Sequence, residues 1–386
     1  MAGPDEVSVM ADIASLRRAI EAPAVPPHSS WKPITCRLIP GQLTDIQACC
    51  TERGIAVIDP IARQLEELAA IHFPDPAAHE DRTRLVREHV RDAGGAESYG
   101  CWVYFPWDRT IVHLLDPDDF YAVITSRNEN KITRAEQDIL RTKRIGVMGL
   151  SVGGEAAVTL AQEHLCGEIY LADFDALDLS NLNRLNAAVD QLGCNKAIIA
   201  ARRIAKIDPY MSVRLFPAGV TPDNTDDFLN GLDVLIEECD DLPLKSLIRQ
   251  LARERGIDIV FAADERGFLS IEPYRTSPAL RPFHGRVEKP QPPRASYASA
   301  TEFWRALTAW MGGWESISER SRESLGQIGK TLCGYPQLAS EARFAAGQIG
   351  HVVRRMLLGE RFAPFLGHLD LDQLINPRST SRPRCE

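Results

Sequence analysis

The sequence has no run of apolar residues long enough to cross a bilayer, which takes about 20 in succession, so a membrane-spanning helix is not expected. Paired CxxC motifs are missing too. The nine cysteines, at 36, 49, 50, 101, 166, 194, 239, 333 and 385, are odd in number and irregular in spacing. That fits reduced thiols and speaks against a disulfide framework or a zinc knuckle. Positive charge is in deficit: 44 Lys and Arg face 53 Asp and Glu, for a formal net charge of −9. Such a balance suits a polyanion poorly, and nucleic acid is not expected as the main partner. The first 21 residues place Asp5, Glu6 and Asp12 ahead of Arg17 and Arg18. This is the wrong order for a secretory signal, so a cytoplasmic location is the expectation.

What is present is an ordinary globular composition, 44% hydrophobic and 25% charged over 386 residues, enough for a main domain and a substantial annex. Residues 1–125 read as a smaller N-terminal α+β domain. Within it, 82–92 forms a charged helical pattern, and 102–115 reads as a β-hairpin because two apolar runs flank Pro106-Trp107-Asp108. From Arg144 short apolar runs alternate with helical stretches, the rhythm of an α/β domain. Strands are expected at 145–149, 168–173, 213–217, 233–237, 258–262 and 268–273, with helices at 154–163, 195–206 and 244–255. The implied fold is a Rossmann-like, mostly parallel sheet with flanking helices, over 126–365. A loop rich in Pro and Arg, with Pro282, Pro290, Pro292 and Pro293, precedes helices at 301–311 and 339–358. The second has Ala345, Ile349, Val352, Val353 and Met356 on one face, and small Ala342, Ala346, Gly347 and Gly350 suited to close packing. Residues 366–386 read as a C-terminal tail.

The segment Val147-Met148-Gly149-Leu150-Ser151-Val152-Gly153-Gly154-Glu155 follows a strand and opens a helix, where backbone N–H groups can cradle phosphate. Ser151 stands at the middle position of GxGxxG, so a tight strand-to-helix turn with no ligand is the plain alternative. The next strand ends in Asp173-Phe174-Asp175, one βαβ step later, where a carboxylate can take ribose hydroxyls. After it come Asp178-Leu179-Ser180-Asn181-Leu182-Asn183-Arg184 and Gly193-Cys194-Asn195-Lys196-Ala197.

In the pattern DFDxxxxSNLxR followed by GxxKA, over roughly residues 127–358, the chain resembles the E1-like, ThiF-type adenylating family. The resemblance implies ATP-dependent activation of a carboxylate as its acyl-adenylate, with release of pyrophosphate. It implies that Gly149, Ser151, Gly153 and Gly154 bind phosphate, that Asp173 and Asp175 lie at the ribose, and that Asn181 contacts phosphates or ribose. Arg184 and Lys196 take the cationic positions, and Asp240 holds Mg²⁺, with Asp241 as the alternative. Arg127, or else Lys131, corresponds to an arginine that reaches into a neighbouring subunit, which implies a homodimer. Where relatives often carry arginine five residues after the metal aspartate, this chain has Lys245, a point charge in place of a fork. Glu237 and Glu238 admit the plainer reading of a solvated acidic edge. Zinc is not expected, and Cys333 lies where some sulfur-transferring relatives keep a reactive thiol.

The acyl substrate stays open between a peptide and a small carrier protein with a reactive carboxylate. A ribosomally made peptide is one expectation, as in antibiotic biosynthesis of the microcin C and pantocin kind, with the hairpin 102–115 offering an edge for strand addition. The other is a ubiquitin-like sulfur carrier. A non-catalytic E1-like subunit and a nicotinamide-dependent oxidoreductase are the competing classes.

Overall fold

The fold comes from a computed structural model that describes residues 10–23, 30–288 and 291–375. Pro290 and residues 376–386 of the expected tail lie outside them. The chain divides into two compact units, residues 1–138 with 201–212, and residues 139–200 with 213–386.

The smaller unit contains α1 (Ile13–Glu21), β1 (Ile34–Cys36), α2 (Leu43–Arg53), β2 (Ala56–Ile58), α3 (Ile61–His72), α4 (His79–Asp92), β3 (Cys101–Phe105), β4 (Thr110–Leu114) and α5 (Pro117–Ile124), and the boundary falls within α6 (Arg134–Leu140). Its strands order as β1-β3-β4-β2. β3 and β4 are the expected antiparallel hairpin, Trp102 facing His113 with stacked rings 4.3 Å apart. The hairpin offers no edge, however, because β1 pairs with β3 and β2 pairs with β4. Residues 102–115 therefore cannot take an added strand as expected: both strands of the hairpin are paired on both sides, and the edge strands of the sheet are β1 and β2.

The larger unit runs β5 (Arg144–Met148), α7 (Val152–Gln162), β6 (Glu168–Ala172), α8 (Lys196–Ile207, divided between the units), β7 (Ser212–Phe216), α9 (Thr225–Leu229), β8 (Val234–Glu237), α10 (Leu242–Arg255), β9 (Asp258–Ala262), β10 (Phe268–Glu272), α11 (Ala300–Ala309), α12 (Glu319–Leu325), α13 (Ala339–Leu357), β11 (Phe365–His368) and α14 (Leu371–Ile375). The seven strands order as β11-β10-β9-β8-β5-β6-β7. β6, β5, β8 and β9 are parallel, and buried side chains fill β8 and β9 and most of β5 and β6, as a sheet covered on both faces requires. β10 and β11 run antiparallel. β11 is a strand where only a tail was expected. Its side chains are half-buried or exposed, so it lacks the apolar run that announces an interior strand.

α13 packs along α7. A Cβ added to Gly350 would meet Thr159 Cγ2 at 3.4 Å, whereas one on Gly347 would meet open space. Of the small residues singled out, Gly350 thus serves the close approach and Gly347 does not.

At the end of β8 the solvated acidic edge that Glu237 and Glu238 admitted gives way to a buried ionic network. Glu237 is fully buried and accepts from Lys245 Nζ at 2.8 Å and from Arg249 Nη1. Arg249 Nε donates to Glu272 Oε2 at 2.7 Å, and Tyr274 hydroxyl donates to Glu272 Oε1 at 2.7 Å. Glu238 accepts the Ala262 N–H at 2.9 Å. The cause is α10, which brings Lys245 and Arg249 to one face, four residues apart, directly over the end of the strand. Lys245 also lies 4.3 Å from the Phe261 ring centre. Enclosed in this way, it is no substitute for a phosphate-binding arginine.

Candidate active site

β5 lies between β6 and β8, so the connections leave it in opposite directions and a crevice opens at the carboxyl ends of the strands. Gly149 closes β5 with φ +82, and a Cβ there would fall 2.6 Å from the Glu238 backbone carbonyl. Only glycine tolerates both the conformation and the approach. Ser151 then begins α7, whose first N–H groups have no intrahelical acceptor and carry the positive end of the helix dipole. Gly153 and Gly154 are buried in that first turn.

The two aspartates after β6 separate in role. Asp173 is buried and accepts the Leu150 N–H at 2.6 Å on one oxygen and the Asp175 N–H at 2.7 Å on the other. Burial raises its pKa, against the pull of those two donors. It fixes the glycine turn. Asp175 is half-exposed, and its Oδ2 lies 2.8 Å from Lys196 Nζ at the start of α8. Of the two carboxylates, Asp175 is the more exposed.

Asn181 is turned inward: its Oδ1 accepts the Asp178 N–H at 3.0 Å, completing the cap of the short helix Leu179–Asn183. That helix presents Arg184. Its Nε reaches Ser151 Oγ at 3.3 Å and its Nη1 donates to Asn183 Oδ1 at 2.9 Å. The serine in the glycine motif thus supplies an acceptor that glycine would lack. Burial lowers the pKa of Arg184, while Asp264 and Asp240 pull the other way.

Asp240 follows β8. It keeps an exposed surface, yet protein crowds its carboxyl enough for lost hydration to raise its pKa, and Glu237 adds to the rise. Lys245, Arg294 and Lys196 oppose it. Asp241 instead serves the helix that follows, its Oδ1 accepting the Leu244 N–H at 2.8 Å as N-cap of α10. Arg127 and Lys131 are exposed and belong to the smaller unit. Cys333 is an exposed free thiol.

Sequence reasoning passed over three residues. Asp264, just past β9, is buried, accepts from Gln337 Nε2 at 2.7 Å, and has its pKa raised by burial. Gln337 also accepts from Asn183 through its backbone carbonyl. Arg294, in the loop after Tyr274, adds a cation that Asp240 feels. An aspartate closing a parallel strand was the one available signal, and it marks Asp264 as it marked Asp173.

This set fits a polyphosphate: a helix N-terminus, a lysine, an arginine, and one exposed carboxylate at a switch point. Among the described residues no group of three or more His, Cys, Asp or Glu could hold a metal ion. Mg²⁺ held by one or two carboxylates together with a substrate's phosphates needs no such group.

Residues 125–314 match the model of the ThiF family. The uncharacterized protein MT1398 of Mycobacterium tuberculosis is 40% identical over 337 residues, 86% of this chain and 45% of that protein. The sulfur carrier protein adenylyltransferase of Thermus thermophilus is 28% identical over 223 residues, 53% of this chain and 78% of that protein. The chain spans less than half the length of MT1398 and of several other curated relatives. Among solved structures, the E. coli tRNA N6-threonylcarbamoyladenosine dehydratase, in complex with AMP, is 18% identical over 64% of this chain and 98% of that one, with a TM-score of 0.47.

Proposed function

Residues 125–314 belong to the ThiF family of E1-like adenylyltransferase domains, and from that premise we propose that the chain adenylates a substrate carboxylate with ATP. The observation that carries the reading is the gathering of the α7 N-terminus, Arg184, Lys196 and Asp240 at the switch point between β5 and β8. A carboxylate oxygen attacks the α-phosphorus of ATP, the bond from that phosphorus to the bridging oxygen breaks, and pyrophosphate leaves with the electron pair. Charge builds on the phosphate oxygens in this step. Arg184, Lys196 and the N–H groups of α7 are set before the reaction to receive it. Asp175 takes the ribose hydroxyls, and Asp173 holds the turn in shape. Asp240 is the residue for Mg²⁺, which when bound would offset phosphate charge.

Calorimetry tests the cofactor: Mg-ATP is expected to bind and NAD to show no heat. Tight NAD binding without Mg-ATP binding would return the site to the oxidoreductases.

The proposed substrate is the carboxylate of a short, ribosomally made peptide. A folded N-terminal unit in which β2 is an edge strand supports it, since a sheet edge can take a peptide as an added strand; at β1 the outer edge already meets Ala11. The similarity to a sulfur carrier protein adenylyltransferase favours the second reading, a ubiquitin-like carrier. ATP–pyrophosphate exchange driven by each candidate separates them, and stimulation by a folded carrier alone would end the peptide reading.

A homodimer completed in trans by Arg127, or by Lys131, is part of the same proposal. Mixing Arg127→Ala with Asp240→Ala chains is expected to regain activity, because one site per heterodimer stays intact. No regain despite proven subunit exchange would remove Arg127 from the site.

A further inference from the structure

Arg184, Asn183, Gln337 and Asp264 are joined by hydrogen bonds that pass through the backbone carbonyl of Gln337 and then through its side chain. Arg184 Nη1 donates to Asn183 Oδ1 at 2.9 Å, and Asn183 Nδ2 donates to the Gln337 carbonyl at 2.7 Å. Gln337 Nε2 then donates to Asp264 Oδ2 at 2.7 Å. Every donor points the same way, from a cation at one end to a carboxylate at the other. Both amide orientations follow from the partners, because the Asn183 nitrogen must face a carbonyl and its oxygen a guanidinium. Asp264 is 8% exposed, so the anchor of the line is screened little by water.

We infer that Gln337 and Asp264 are positioning residues for Arg184: they hold the Asn183–Arg184 turn where the guanidinium meets the phosphate chain. The inference rests on the adenylation proposed above. Neither residue touches the nucleotide in this scheme: Asp264 anchors the Gln337 side chain, and the backbone carbonyl of Gln337, so placed, holds Asn183.

The segment that carries Gln337 is itself seated on the end of β9. Tyr335 hydroxyl donates to Glu265 Oε2 at 2.7 Å, and the Ser318 N–H donates to Glu265 Oε1 at 2.7 Å. Adjacent carboxylates thus divide the work, Glu265 fixing the segment and Asp264 receiving the line from Arg184. A free arginine has many rotamers, and fixing it in advance removes that entropy from the transition state. The effect therefore belongs in kcat more than in the affinity for ATP.

The test uses the full chain labelled with ¹⁵N-arginine. The Arg184 Nε–H signal is identified by its loss in Arg184→Lys. Gln337→Ala is expected to shift or broaden that signal and to lower kcat of ATP–pyrophosphate exchange about tenfold, with the KM for ATP changed less than about threefold. Asp264→Asn keeps an acceptor for Gln337 and is expected to lose less than Asp264→Ala, a rescue that a merely structural carboxylate would not give. If Gln337→Ala leaves both the Arg184 signal and kcat within about twofold of the native protein, the inference is overturned. Should Gln337→Ala fail to fold, the Asp264→Asn and Asp264→Ala comparison decides, and equal losses in the two overturn it. If the native chain shows no exchange with any carboxylate, the adenylation proposal is what fails, and the Nε–H signal alone judges the positioning.

Discussion

Asp240→Ala is expected to lower ATP–pyrophosphate exchange by about a thousandfold or more, while the unfolding free energy stays within about 0.5 kcal/mol of the native value. The side chain has an exposed surface, and no hydrogen bond to another described residue ties its carboxyl to the core. Its removal therefore opens no cavity and leaves no charge stranded. What is lost, on the function proposed above, is the carboxylate assigned to Mg²⁺, whose charge is felt by Arg184 and which itself feels Lys196. The contrast is Asp241→Ala, which removes the N-cap of α10. It should cost about 1 kcal/mol of stability and leave turnover largely intact. If Asp241→Ala abolished exchange and Asp240→Ala did not, the two assignments would have to be reversed.

Arg249→Ala is expected to destabilise the protein by about 3–5 kcal/mol in chemical unfolding. The guanidinium is fully buried between Glu237 and Glu272 and over the Phe283 ring. Alanine leaves both carboxylates inside without their shared partner. Lys245 still pairs with Glu237, so Glu272 bears most of the loss, and adding Glu272→Gln should recover part of it. The same network sets a pH dependence. Burial pushes the Glu237 carboxyl up, but Lys245 and Arg249 outweigh it and bring the pKa down from 4.5 to about 2. A carboxyl whose pKa is lower folded than unfolded stabilises the fold above the unfolded value, and that contribution is lost as pH falls. Stability should therefore decline between pH 4.5 and about 2. In Glu237→Gln that part of the decline should flatten, and an unchanged profile would show that other groups govern acid unfolding.

How much was legible differs between neighbouring residues. Asp173 and Asp175 stood out together at the end of one strand. Nothing in the sequence told which would turn back to bind the Leu150 N–H and which would face Lys196. Asp240 and Asp241 posed the same problem, solved by the capping geometry of α10. Lys245 was noticed for its spacing from Asp240, but spacing on a helix gives only a face. That face turned out to cover Glu237.

The sequence by itself determined the strand and helix alternation of the larger unit, the glycine turn after Met148, and the cluster from Asp173 to Lys196. These depend on hydrophobic periods and backbone preferences acting over a few residues. Only the tertiary structure decided that Glu237 is an interior ion, that the hairpin Cys101–Phe105 and Thr110–Leu114 is enclosed by β1 and β2, and that Gln337 joins Asn183 to Asp264. Gln337 meets Asn183 across 154 positions of chain. Contacts at that range come from how packed elements exclude water and satisfy buried polar groups. No local period records them.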